Sequence, residues 1–291
     1  MSAADAIVLR SADASVTIAS HGAELTSWIV GGRELMWSAD PFYWARSAPI
    51  LFPVVGASRD GAVRIGGESY AMPQHGFARD SLFDVIAQTG NTVALRLTDS
   101  DATRRHYPFS FAFTVTYRLD GGTLAIGFGI ENTGAAAMPY QLGYHPAFVW
   151  PYLAGSKDGH DLIFASGKER PIVRPSAQGL LKRPAGASVS GGRLRITDDM
   201  FAQGALVFAD ADSASATLMS PSGAALEITV DGFPHWALWT KPGAPFLSIE
   251  QWTGLPEWED QSGDLAVRPS VTLALPGDRR RHSIRMSARN G

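Results

Sequence analysis

The chain has 291 residues, 45% of them hydrophobic and 18% charged, with a formal net charge of −3 and no cysteine. That length and apolar content allow one large domain over residues 1–291 with a sizeable core, and the low charge density favours buried sheet over solvated helices. The balance excludes a basic footprint for nucleic acid or an anionic membrane, and the lack of cysteine excludes disulfides, thiolate nucleophiles and thiolate-bound metals.

Residues 1–20 show no positively charged start followed by an apolar stretch, so no signal peptide is expected. No run of about 18 apolar residues marks a membrane helix, and the cytoplasm is the expected location. Alternation with a period of two then dominates. Residues 15–19 read Ser-Val-Thr-Ile-Ala, residues 92–97 Thr-Val-Ala-Leu-Arg-Leu, and residues 111–119 Phe-Ala-Phe-Thr-Val-Thr-Tyr-Arg-Leu. Between the last two, residues 99–105 are the clearest helical candidate, a short one that stops before Tyr107-Pro108. Segments 123–130, 214–219, 225–230 and 271–275 continue the β-branched, alternating style of half-buried strands. Residues 167–192, rich in Pro, Gly, Ser and Ala, read as a long loop within the domain. Good turn chemistry separates the strands: Asp120-Gly121-Gly122, Pro221-Ser222-Gly223, Asp231-Gly232 and Pro276-Gly277-Asp278. Arg279-Arg280-Arg281 reads as a solvated strand end. Many close-spaced strands with glycine turns predict an all-β fold, a large antiparallel sandwich, rather than a βαβ arrangement.

Four irregular stretches carry the candidate chemistry. Residues 49–61 deliver Arg59 into a turn; it is either a surface arginine beside Asp60 or a guanidinium fork for sugar hydroxyls or a phosphate. Residues 72–80 read Met-Pro-Gln-His-Gly-Phe-Ala-Arg-Asp, where the glycine after His75 permits close approach to the backbone. Structural and catalytic roles are equally open for this histidine. Residues 140–148 place His145 between Tyr144 and Pro146, and the proline bars the segment from a central sheet position. That favours a functional histidine on an irregular rim. Residues 245–256 bring Glu250 to the end of an apolar run, followed by Trp252. A carboxylate in such surroundings is desolvated, and its pKa rises towards the range of a general base.

Aromatic residues cluster around these stretches, among them Tyr144, Trp150, Trp236, Trp239, Trp252 and Trp258. Flat rings with a few polar anchors suit sugars, which present apolar C–H faces edged by hydroxyls; core packing must claim some of the eight tryptophans. Competing chemistries have little support. His21, His75 and His145 lack metal-ligand spacing, no Gly-x-Ser-x-Gly elbow is present, and residues 61–67 lack the ending of a phosphate-cradling loop.

In this order, the four stretches resemble the aldose 1-epimerase superfamily, most closely its shorter bacterial branch. Residues 18–25, Ile-Ala-Ser-His-Gly-Ala-Glu-Leu, are similar to the family's early Gly-Ala-x-Leu segment, so the likeness covers nearly the whole chain. The resemblance implies the galactose mutarotase-like supersandwich, with a sugar held in a cleft across one sheet. It implies Glu250 as catalytic base, His145 as catalytic acid and His75 as a second active-site histidine. Arg59 matches a substrate-positioning arginine, and Arg79, Tyr144 and Trp252 complete the expected sugar contacts. There is one departure. Many family members carry a sugar-binding aspartate before a strand near residues 200–208, where this chain has no acid after Asp199; Gln203 is the candidate replacement.

The expected reaction is anomer exchange by acid–base ring opening and reclosure, needing no cofactor and no metal, with a small-molecule sugar as partner and neither nucleic acid nor membrane. The oligomeric state is not legible. A hexose-6-phosphate 1-epimerase, with Arg59 and Arg79 on the phosphate, is the close rival. A non-catalytic carbohydrate-binding protein is the rival from another class.

Overall fold

A computed structural model describes residues 6–153, 155–184, 186 and 188–289. The first five residues, part of the stretch read for a leader, lie outside it, as do residues 185 and 187 of the long loop. Among the described residues, no helix is long and apolar enough to cross a membrane.

The alternating segments become the body of a nine-stranded antiparallel sheet. Its order is Arg193–Arg195, Asp161–Phe164, Ser215–Met219, Ala225–Asp231, Arg279–Arg289, Thr123–Asn132, Phe111–Asp120, Thr92–Thr98 and Asp84–Gln88. The Gly121-Gly122 turn pairs Asp120 with Thr123, and Gly121 takes the positive φ of 54° that such a tight hairpin demands. Alternation is strict here: Phe113, Val115, Tyr117, Leu124, Ile126 and Phe128 point inward and are buried, while their neighbours are half-buried or exposed. Period two makes one face a core face and leaves the other to water. The run 279–281 opens the last strand with all three arginines exposed.

Packed against that inner face is a six-stranded sheet: Leu206–Phe208, His235–Trp239, Phe246–Trp252, Gly143–Tyr144 and Ile50–Leu51 in order, with Ala147–Val149 also pairing to Phe246–Trp252. The two sheets meet through aromatic contacts. Phe128 lies 5.9 Å from Tyr144, Phe164 6.0 Å from Trp236 and Phe52 4.9 Å from Phe113, ring centre to ring centre. This is a β-sandwich. A four-stranded sheet, Ala6–Arg10, Ala14–Ala19, Leu25–Val30 and Arg33–Glu34, adds Leu9, Val16 and Trp28 to the same core.

The expected helix forms at Asp101–Arg104, where Ser100 caps Thr103 and Thr103 reciprocates. The stretch 167–192 is mostly loop, interrupted by the short pair Arg170–Pro171 and Ser188–Val189. It crosses the outer side of the six-stranded sheet: Val173 and Leu181 pack there with Val207, Ala237, Trp252, Leu255 and Trp258. That sheet is therefore covered on both faces, one by the larger sheet and one by loops. The site lies between sheet and loops.

Candidate active site

All seven residues of Phe246–Trp252 are buried, so alternation decides direction rather than exposure. Leu247 and Ile249 join the core between the sheets, with Trp236, Leu238 and Tyr144 from neighbouring strands. Glu250 and Trp252 consequently point to the loop side, level with Ala237 and Val207. The same parity places Tyr144 and His145 on opposite sides. Tyr144 packs in the core on Phe128. His145, one residue on, leaves the ladder: its N–H donates to the Pro49 carbonyl at 3.1 Å, and Pro146 ends the two-residue strand.

His145 and Glu250 meet. Nε2 of the imidazole lies 3.2 Å from Oε1 of the carboxyl group, and both side chains are at least nine-tenths buried. Trp44 lies tilted against the imidazole at 4.9 Å and 31°, and Trp239 meets it edge-on at 5.7 Å. Oε2 of Glu250 accepts a hydrogen bond from Nε1–H of Trp252 at 3.1 Å. Together these groups form one wall of a cavity of about 490 Å³, which His75, Gln74, Arg79 and the loop 175–179 complete.

His75 is held by its own backbone. It has a φ of 70°, and Gly76 follows at 73°. A Cβ on Gly76 would fall 2.2 Å from the Phe52 carbonyl oxygen, so only glycine fits there. The His75 N–H donates to the Gly56 carbonyl, and the Gly56 N–H donates in return to Nδ1 of His75 at 3.0 Å. With Nδ1 an acceptor, the neutral ring carries its proton on Nε2 and offers a donor. Its ring lies 5.9 Å from that of His145.

Burial dominates the electrostatics. Desolvation raises Glu250 well above the usual carboxyl range, opposed only by the bond from Trp252. Desolvation also lowers His145, to about 3, with Arg79 and Arg46 adding repulsion. His75 is lowered well below its ordinary value by desolvation first, then by His145 and the two arginines. Both shifts have one cause: burial disfavours the charged form of either partner, so it favours a neutral imidazole beside a neutral carboxyl group. The charged forms that the resemblance's roles call on, a carboxylate on Glu250 and an imidazolium on His145, are the ones that burial disfavours.

The structure gathers five of the eight expected site residues, Glu250, His145, His75, Arg79 and Trp252, around this cavity. Three lie elsewhere. Arg59 donates to the Glu259 carbonyl at 2.7 Å and approaches Glu257, pinning the 258–261 turn outside the cavity. Tyr144 faces the core because strand parity turns it inward. Gln203 lines a neighbouring cavity of about 650 Å³ with Arg174, Lys182 and Arg183; at the cavity beside His145 and Glu250 the same stretch contributes Gly204, Ala205 and Val207. Neither Gln203 nor an acid takes the place of the family aspartate there. Among the described residues, no group of three or more His, Cys, Asp or Glu is placed to hold a metal ion.

Sequence reasoning passed over several supports. Trp44, in the aromatic run Phe42-Tyr43-Trp44, was the only visible hint of a ring over His145. Glu24 accepts from the N–H groups of Ser47 and Ala48 at 2.6 and 2.8 Å, and Arg46 bonds Asp80 at 2.7 Å. These ties fix the segment that carries Trp44 to the one that carries Arg79. Their partners are 23 or more residues apart in sequence, so no local pattern announces them.

Comparison with known proteins gives consistent relatives. The family model described as Aldose 1-epimerase matches residues 5–287. Protein LacX from the plasmid of Lactococcus lactis subsp. lactis is 30% identical over 297 aligned positions, covering 98% of this chain and 99% of that protein. A galactose mutarotase-like protein from Lactobacillus casei ATCC 334 superposes with a TM-score of 0.89 at 29% identity, covering 98% of this chain and 100% of the other. A galactose mutarotase related enzyme from Lactobacillus acidophilus gives a TM-score of 0.89 at 26% identity, over 98% and 97% of the two chains. With a buried histidine–glutamate pair in a sandwich cleft and a family match spanning almost its whole length, the chain belongs to the aldose 1-epimerase family.

Proposed function

We propose that the protein is a cofactor-independent aldose 1-epimerase, one domain that interconverts the α and β anomers of a hexose. The observation that carries this reading is the desolvated His145–Glu250 contact at 3.2 Å, opening on a cavity large enough for a hexose. Ring opening removes a proton from the C1 hydroxyl and adds one to the ring oxygen; rotation about C1–C2 and reclosure then reverse both transfers. A pair holding a single proton has one donor and one acceptor at all times. Burial favours the neutral pair, with the proton on Glu250. Its passage to Nε2 of His145 across the contact gives the working form, with Glu250 ready to take the C1 hydroxyl proton and His145 ready to protonate the ring oxygen. Trp44, tilted against the imidazole at 4.9 Å, favours that cationic form through its ring face. Nε2–H of His75 and the guanidinium of Arg79 orient the sugar oxygens, and Trp44, Trp239 and Trp252 offer flat faces to its C–H groups.

A phosphorylated hexose is the second reading. Arg79 lines the cavity, and Arg174, Lys182 and Arg183 line the adjoining one across the shared wall 175–177. A phosphate on the sugar would meet guanidinium groups suited to it.

The test is anomer exchange followed by NMR with a panel of free and 6-phosphorylated aldoses. Glu250→Gln and His145→Asn should each slow the best substrate by about 10²–10⁴-fold while leaving the fold intact. Acceleration by wild type alone supports an epimerase, and the preferred sugar decides between the two substrate readings. Sugar binding without acceleration by wild type would replace both with a carbohydrate-binding protein.

A further inference from the structure

We infer that Trp252 is a positioning residue that assigns the proton of the Glu250 carboxyl group to Oε1, the oxygen facing His145. The inference rests on the acid–base reading above.

The geometry is local and closed. Each oxygen of Glu250 has one polar partner among the described residues: Oε1 meets Nε2 of His145 at 3.2 Å, and Oε2 meets Nε1–H of Trp252 at 3.1 Å. An indole N–H is a donor and nothing else, and it does not give up its proton near neutrality. An oxygen that accepts from it cannot also point an O–H at it. In the neutral acid the carbonyl oxygen is the better acceptor, and the acceptor within reach of the O–H is Nε2 beside Oε1, so Oε2 is the carbonyl oxygen and Oε1 carries the hydrogen, aimed at the imidazole. In the carboxylate, the same bond stops the group rotating its two oxygens. The protonation site and the basic site are then one atom, which the exchange of a proton with His145 requires.

The spacing explains how the device is built. Residues two apart on a strand share a face, so Glu250 and Trp252 project together from Phe246–Trp252, and the indole reaches back one strand step. The titratable or charged groups around them are few. His145 faces Glu250 from the turn after Gly143–Tyr144, His75 and Arg79 face the cavity from the segment after Gln74, and His235 is register-paired with Trp252. Arg46 acts from behind Arg79. The strands Leu206–Phe208 and His235–Trp239 otherwise present Val207, Ala237 and Trp239 to this face.

The experiment uses Trp252→Phe, which keeps an aromatic wall and removes the N–H. With the best aldose, kcat should fall about tenfold and KM should stay within about twofold. The alkaline limb of the kcat profile should move up by about one pH unit, because the lost bond favoured the charged carboxylate. A KM rise with unchanged kcat and an unchanged limb would make Trp252 a wall only and overturn the inference. A second measurement does not depend on that variant folding. In 15N-labelled wild type, one indole N–H resonance should titrate with the Glu250 limb, and that titration should vanish in Glu250→Gln. An indole set that ignores Glu250 also overturns the inference. If wild type accelerates no sugar yet the indole still titrates with Glu250, the functional reading falls while the positioning bond stands.

Discussion

The two sheets of the sandwich are made of similar residues and treat polar groups in opposite ways. On the nine-stranded sheet, each polar residue of Phe111–Asp120 and Thr123–Asn132 that faces away from the core meets water at least in part. On the six-stranded sheet, Phe246–Trp252 is buried on both faces, because the loops 173–181 and 255–258 cover its outer side. A carboxylate on the first sheet keeps its hydration. On the second, Glu250 has exchanged water for one imidazole and one indole. What differs is the second cover, and that cover raises the pKa of an ordinary side chain by taking its water away.

The largest effect that would sharpen this contrast lies in the pH profile. A solvated histidine would impose an acid limb near its ordinary pKa of about 6.5. Burial lowers His145 to about 3 and raises Glu250, so the imidazole's own limb belongs near pH 3 rather than near its ordinary value. Exchange corrected for the spontaneous reaction should therefore show no acid limb between neutrality and pH 5. A limb near pH 6.5 in kcat would show that the covered face does not desolvate the pair.

A paired glycine substitution comes next in size. Gly76→Ala forces a Cβ to within 2.2 Å of the Phe52 carbonyl at a positive φ, and should cost roughly 2–4 kcal/mol of stability by urea unfolding. Gly127→Ala, on the open face of the larger sheet, meets nothing closer than Thr116 Cβ at 4.0 Å and should gain about 0.5–1 kcal/mol. Equal effects would erase the distinction between a face that waits for nothing and one built to approach closely.

The smallest expected effect belongs to Arg59. Arg59→Ala should leave kcat and KM within about twofold while lowering the melting temperature by a few degrees, because its bonds go to the carbonyls of the 258–261 turn. A KM rise beyond tenfold would return Arg59 to the sugar.

The all-β architecture was legible because the larger sheet obeys its own period: segments 92–97, 111–119 and 123–130 lie within strands whose inner residues are buried one by one. Glu250 and His145 were legible for the opposite reason, as polar residues in apolar or proline-broken surroundings. Arg59, Tyr144 and Gln203 fell outside the cavity because motif order says which residues come near a site, not which way each side chain turns. Tyr144 and His145 are neighbours in sequence and face opposite sides of one sheet.

By itself, then, the sequence determined the strands, their turns and the titratable residues with desolvating neighbours, since alternation, glycine at positive φ and apolar flanks are local properties. The tertiary structure decided the direction of each side chain, the rings that enclose His145, and the oxygen of Glu250 that faces it. Those depend on contacts such as Trp44 on His145, made across 101 positions of chain, and on a loop cover that no local pattern describes.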